Sequence, residues 1–194
     1  MRNRRFAEFL ANRGHQVIGV DNSPDMLAYA RKRVPGGEFH AGELSRLPLP
    51  DDSVDVIVCA LALVHVPDLQ PVLTEFARVL RPGGDLVISD VHHELVTRGS
   101  VITARGPAGE PCIAATYRHQ LGDYLRAALG LGLQVRHCEE PIGTRQADPL
   151  PEPATDIGDW PDWPWSLKDY LPSAARAAGG RPVLVIWHFQ QPAR

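Results

Sequence analysis

The chain has 194 residues, 44% hydrophobic and 22% charged, which sets it as one well-filled globular domain rather than two. A net charge of −3 gives no basic footprint for nucleic acid or an anionic bilayer, and no apolar run nears the roughly 20 residues of a membrane span. The cysteines Cys59, Cys112 and Cys138 are odd in number and widely scattered. Cys59 and Cys138 fall in strand-like runs and read as buried reduced thiols rather than a disulfide or a metal site, which fits a reducing cytoplasm.

Phe6, Phe9 and Leu10 stand at helical spacing before Gly14, so the chain opens on a helix. Gln16 to Val20 has the β-branched, apolar character of a buried parallel strand and delivers Asp21 to its carboxyl end. Ser23-Pro24 then reads as N-cap and first helical residue of a helix running to about Val34, with Met26, Leu27 and Ala30 inward. Glu38 to Ala41 is a short strand leading to Glu43, a second acidic residue at a strand end. After the turn-rich link from Leu47 to Ser53, Val54 to Cys59 is a strand. Pro67-Asp68 opens a helix with Leu69, Leu73, Phe76, Ala77 and Leu80 inward, and Asp85 to Asp90 is the next strand. This alternation is that of a parallel sheet flanked by helices.

The later part differs. Val101 to Arg105 and Cys112 to Thr116 read as a β-hairpin. Gln120 to Leu131 is a helix with Leu121, Tyr124, Leu125, Ala128 and Leu129 on one stripe. Leu133 to Glu139 and Pro182 to Phe189 are strands, and Glu139 and Glu140 are expected at a strand end in solvent. Between them, Asp148 to Pro164 is rich in Pro, Asp and Trp, which predicts a long ordered loop. Hairpin and loop together predict cap elements over about 91–119 and 146–165 of a single domain, 1–194, with Trp160, Trp163 and Trp165 able to stack on an acceptor or simply to seal apolar surface.

These residues resemble a class I S-adenosylmethionine (SAM)-dependent methyltransferase of the small-molecule type. The resemblance rests on Val17 to Leu27, Gly42 to Leu49 and Asp55 to Asp68, and most specifically on Arg78-Val79-Leu80-Arg81-Pro82-Gly83-Gly84-Asp85-Leu86-Val87-Ile88-Ser89-Asp90. Tyr117 through Pro141 and Arg181 to Val185 extend it in the same order. It implies an α/β, Rossmann-like sheet with flanking helices and a small β-hairpin cap. It further implies SAM as cofactor, with Asp21 and the adjoining Asn22 at the ribose hydroxyls. Glu43 and the backbone of Leu44 would sit at the adenine, with Ala60 and Leu61 beside the methionine part. No metal is implied. The expected partner is a small-molecule methyl acceptor, with no nucleic acid or membrane and a homodimer as a candidate assembly. His65, His92, Tyr117 and His119 are the candidate proton-transfer groups, weighed against roles in orienting loops or facing water.

One departure shapes the functional expectation. Such enzymes begin with a strand and an Asp-x-Gly-x-Gly-x-Gly turn, whereas Met1-Arg2-Asn3-Arg4-Arg5-Phe6 stands where the last glycines belong. The first strand and the glycine-rich turn are therefore expected to be missing, which would leave two inner strand edges unpaired. A displaced gene start, a degenerate relative that no longer transfers methyl groups, or completion of the sheet by another chain would each account for this. In the second case the protein would be repurposed as a cyclase-like catalyst or a small-molecule binding protein.

Overall fold

A computed structural model describes residues 4–97, 102–106, 108–142 and 180–193. The chain begins with helix α1 (Arg4–Ala11), then strand β1 (Ile18–Asp21), helix α2 (Pro24–Arg33), β2 (Glu38–Ala41) and β3 (Val54–Ala60). A 3-10 turn over Leu63–His65 precedes α3 (Leu69–Val79), β4 (Leu80–Val91), α4 (His93–Thr97), and the hairpin strands β5 (Ile102–Arg105) and β6 (Pro111–Ala114). Helix α5 (Leu121–Gly130), β7 (Gln134–Glu139) and β8 (Leu184–Gln190) complete the described elements.

The strands form a parallel pair β1-β2, a four-stranded sheet in the order β3-β4-β8-β7, and the separate hairpin β5-β6. β3 and β4 are parallel, and β8 runs antiparallel to both β4 and β7. Among the described residues β1 pairs only with β2 and β3 only with β4, so each presents one unpaired edge. Apolar side chains stand exposed nearby in sequence and on α1: Ile18, Val56 and Val58 on these strands, and Phe6 and Phe9 on the helix.

Local chemistry explains the element boundaries. Ser23 caps α2, its Oγ accepting the Met26 N–H, and Asp68 caps α3 by accepting the Gln70 N–H at 2.9 Å. Gly19 is required because the Phe39 ring on β2 lies where a Cβ would stand, 2.6 Å away. Gly83, with φ +80°, turns the chain between the end of α3 and the regular pairing of β4, which begins at Asp85 opposite Val56.

The core lies between the four-stranded sheet and the helices α3 and α5. Leu63, Leu73, Val79, Leu80, Leu86, Ile88, Ala128 and Phe189 are fully enclosed there. Each large aliphatic or aromatic side chain so buried contributes about 1.5–3 kcal/mol relative to exposure. The inward face of α3 is Leu69, Val72, Leu73, Phe76 and Val79, with Ala77 only half-buried at its margin. On α5 the expected Leu129 faces out, 57% exposed, and Ala127 takes the inward place. Cys59 is buried as expected, its thiol pushed up to about 12 chiefly by burial. Cys138 is exposed instead, because β7 is the outer strand of its sheet and is exposed along its whole length. The tryptophan-rich segment, with Trp160, Trp163 and Trp165, lies outside the described residues, as does the second cap element over 146–165.

Candidate active site

The parallel strands bring the singled-out residues to their carboxyl ends, the rim where open α/β sheets bind ligands. Asp21 closes β1 and is exposed. Its Oδ1 accepts the Ser23 N–H at 2.8 Å, so the side chain helps turn the chain into α2, while Oδ2 has no partner among the described residues. Capping and ligand binding are therefore compatible in one carboxylate. Asn22 is exposed beside it. Glu43 follows β2, also exposed, in a tight turn where the Arg46 N–H donates to its carbonyl at 3.0 Å, and Leu44 packs inward against the core.

β3 ends at Ala60, which is buried, and Leu61 then takes a left-handed backbone with φ +55°. That conformation costs a non-glycine residue of the order of 1 kcal/mol. It is held by a 2.7 Å hydrogen bond from the Leu61 N–H to the Ser89 carbonyl. The chain thus breaks sharply away from the sheet at the residues expected beside the methionine part.

The following turn, Leu63–His65, is tied to the segment after the hairpin. The Tyr117 N–H donates to the Val64 carbonyl at 2.7 Å, and His65 Nδ1 lies 2.9 Å from the Ala115 carbonyl. A carbonyl only accepts, so Nδ1 carries a proton, and in the neutral ring Nε2 is then the nitrogen with the lone pair. His65 and Tyr117 are both exposed. His119 is buried, its Nε2 donating to the Leu63 and Val66 carbonyls at 3.1 and 2.9 Å. His92 is only 1% exposed and has both ring nitrogens engaged. Nδ1 accepts the Glu94 N–H at 3.2 Å and Nε2 donates to Glu140 at 2.7 Å. Glu140, just after β7, is thus the partner of a buried histidine just after β4, not simply a solvent-facing strand end. Of the four proton-transfer candidates, His65 and Tyr117 are accessible, and His92 and His119 serve as internal ties.

Two residues that the sequence pattern did not mark as functional complete this region. Asp90, near the end of β4, is 1% exposed; its carboxylate accepts the Val91 N–H at 2.8 Å and faces the Val64 N–H. Burial is the main reason its carboxyl is raised to about 6. Tyr124 on α5, equally enclosed, approaches Asp90 Oδ2 through its hydroxyl at 3.5 Å. The signal available beforehand was an aspartate ending a β-rich run, which sequence alone does not separate from an ordinary turn residue.

A polar concavity of about 420 Å³ lies at the N-termini of α3 and α5, lined among others by Pro67, Asp68, Gln70, Arg118, Asp123 and Arg126. None of the residues expected at the donor lines it. Among the described residues no group of three or more His, Cys, Asp or Glu is placed to hold a metal, and no helix is long and apolar enough to cross a membrane.

The architecture is that of the class I SAM-dependent methyltransferases, an α/β fold with a mixed sheet and flanking helices. A SAM-dependent methyltransferase from Mesorhizobium loti superposes with a TM-score of 0.67 at 22% identity, covering 96% of this chain and 85% of that one. One from Methanosarcina mazei gives a TM-score of 0.63 at 18% identity, covering 96% and 86%. A methyltransferase domain family model matches residues 3–88. The chain is 43% identical across 83 residues to an arsenite methyltransferase of Halobacterium salinarum. It is 44% identical across 71 residues to a demethylmenaquinone methyltransferase of Chlorobaculum parvum. These matches cover 40% and 37% of this chain but only 21% and 30% of those relatives. The family match implies SAM as the methyl donor.

Proposed function

We propose that the protein is a SAM-dependent methyltransferase acting on a small-molecule acceptor. The observation that carries this reading is the open carboxylate of Asp21 on the sheet's carboxyl rim, inside the matched domain. A carboxylate with a free oxygen suits the paired hydroxyls of a ribose. Glu43, with its amide-accepting turn, and Leu44 stand at the next strand end for the base, while Ala60 and Leu61 border the methionine part. The relatives named for arsenite and demethylmenaquinone support a small acceptor without specifying which.

When bound, SAM would supply an electrophilic methyl group on a sulfonium for transfer to an acceptor lone pair, leaving S-adenosylhomocysteine. This chain's residues do the rest. Asp21 fixes the nucleoside, and the backbone break at Leu61 shapes the wall beside the donor. His65, protonated at Nδ1 by its hydrogen bond to Ala115, takes the acceptor's proton at Nε2. Tyr117, exposed on the neighbouring segment, contributes a hydroxyl for orienting the acceptor. The test is titration of SAM into the full chain, followed by detection of S-adenosylhomocysteine with a panel of small acceptors. Saturable binding and acceptor-dependent turnover are expected.

The division of the sheet favours one other reading. With β1 and β3 each unpaired on one side, the floor under the donor is interrupted among the described residues. A relative that keeps the acceptor region without methyl transfer, as a cyclase-like catalyst or a binding protein, fits that feature. Absence of SAM binding by the chain, with binding of a small organic ligand retained, would select it.

A further inference from the structure

The turn Leu63–His65 is held through both polarities of its backbone. From the sheet side the Asp90 carboxylate faces the Val64 N–H. From the other side His119 Nε2 donates to the carbonyls of Leu63 and Val66, and the Tyr117 N–H takes the Val64 carbonyl. The Val64 carbonyl is therefore committed while its N–H faces the carboxylate, and the two side chains on either side of the turn are themselves buried.

The choice of residues is informative. An interior carboxylate is expensive unless an opposite charge offsets it, and among the described residues Asp90 forms no ion pair with lysine or arginine. It accepts the Val91 N–H, lies 3.5 Å from the Tyr124 hydroxyl and faces the Val64 N–H. Folding alone would be served better by an apolar residue at this site. What the carboxylate adds is a fixed polar contact at Val64, the residue before His65 in the turn.

We propose that Asp90 and His119 are positioning residues, which together hold the Leu63–His65 turn so that His65 Nδ1 meets the Ala115 carbonyl and Nε2 is left as proton acceptor. The catalytic consequence rests on the reading of His65 as the acceptor's base, whereas the turn and the tautomer are properties of the ligand-free protein. Neither residue touches the reacting atoms. They act through the backbone of Val64 and its neighbours.

Nitrogen NMR of the ligand-free chain tests this directly. In the wild type His65 should be the Nδ1–H tautomer and the Val64 amide strongly protected from exchange. Asp90→Ala and His119→Phe should each speed Val64 exchange by about tenfold or more, as expected for loss of a hydrogen bond to a charged or buried partner. They should also move His65 toward the Nε2–H tautomer. His119→Gln keeps a side-chain N–H donor and should restore most of the protection. An unchanged tautomer and unchanged exchange in the folded variants would overturn the proposal. If Asp90→Ala does not fold, the His119→Phe and His119→Gln pair decides. Failure of the wild type to bind SAM would remove the proposed function but leave these NMR outcomes as they stand.

Discussion

Arg78 and Glu75, one turn apart on α3, meet in a two-point fork, with Nε to Oε1 at 2.9 Å and Nη2 to Oε2 at 2.7 Å. The remaining guanidinium N–H groups go to Leu49 O, Asp51 Oδ1 and Leu47 O, so all five donors are used. Glu75 in turn accepts the Leu47 N–H at 2.9 Å. This one pair therefore pins the link between β2 and β3, and with it the placing of Glu43 and Leu44 against the main sheet.

Arg78→Ala should destabilise the fold by about 1–3 kcal/mol, a range discounted for the partial exposure of the pair. Urea unfolding of the variant measures it. The Arg78 hydrogen bond is the main reason the Glu75 carboxyl lies below its usual range. A depressed carboxyl stabilises the fold above its unfolded pKa, and that stability is lost as pH falls through the folded value. Stability of the wild type should accordingly drop on acidification below the ordinary carboxylate range, with a smaller drop in Arg78→Ala.

Asp90 should act in the opposite sense. Its folded pKa, about 6, lies above the ordinary value of 3.8, so between those limits the native state holds more protons than the unfolded chain. Its contribution is most favourable below the lower value and declines as pH rises toward the upper one. The groups facing it are His65 and His119 across the turn, Tyr124 on α5 and Cys59 on β3. Asp90→Asn should flatten that slope and, near pH 7, raise global stability by roughly 1–2 kcal/mol, the gain vanishing near pH 4. Denaturant titrations at several pH values give the curve, and a variant less stable than wild type throughout would contradict it.

Much of the fold was legible in the sequence because its signals are local. The bounds of β2 were read to the residue, and the caps Ser23 and Asp68 were visible as residue types at helix starts. Burial along an element was less readable. Leu129 continues a helical stripe yet faces solvent, and Cys138 sits in an apolar run on an outer strand, since neighbours distant in sequence decide what covers a face. The site divides the same way. Asp21 and Glu43 follow from strand ends, whereas the joining of His92 to Glu140, or of Asp90 to Val64, spans distances in sequence that no periodicity encodes.

Among the described residues β1 and β3 each keep one unpaired edge, which carries its own consequence. A free strand edge with exposed Val56 and Val58 is a template for pairing with another chain. Val56→Lys, at a position 52% exposed, should reduce concentration-dependent association while changing unfolding stability by less than about 0.5 kcal/mol. Light scattering across a concentration series, beside urea unfolding, separates the two effects.

Replacing His65 tests the proton acceptor. Once an acceptor substrate is found, His65→Ala should lower kcat by about 10²–10⁴-fold with little change in SAM affinity, the range ordinary for loss of a positioned base. A loss confined to KM would assign His65 to acceptor binding instead.

Calorimetric titration of SAM into the wild-type chain and into Asp21→Ala bears most directly on the central claim. Saturable binding in the wild type, weakened by well over about tenfold in the variant, is the expected result for a carboxylate that holds the ribose. Equal affinity in the two proteins, or no binding in the wild type, would contradict it.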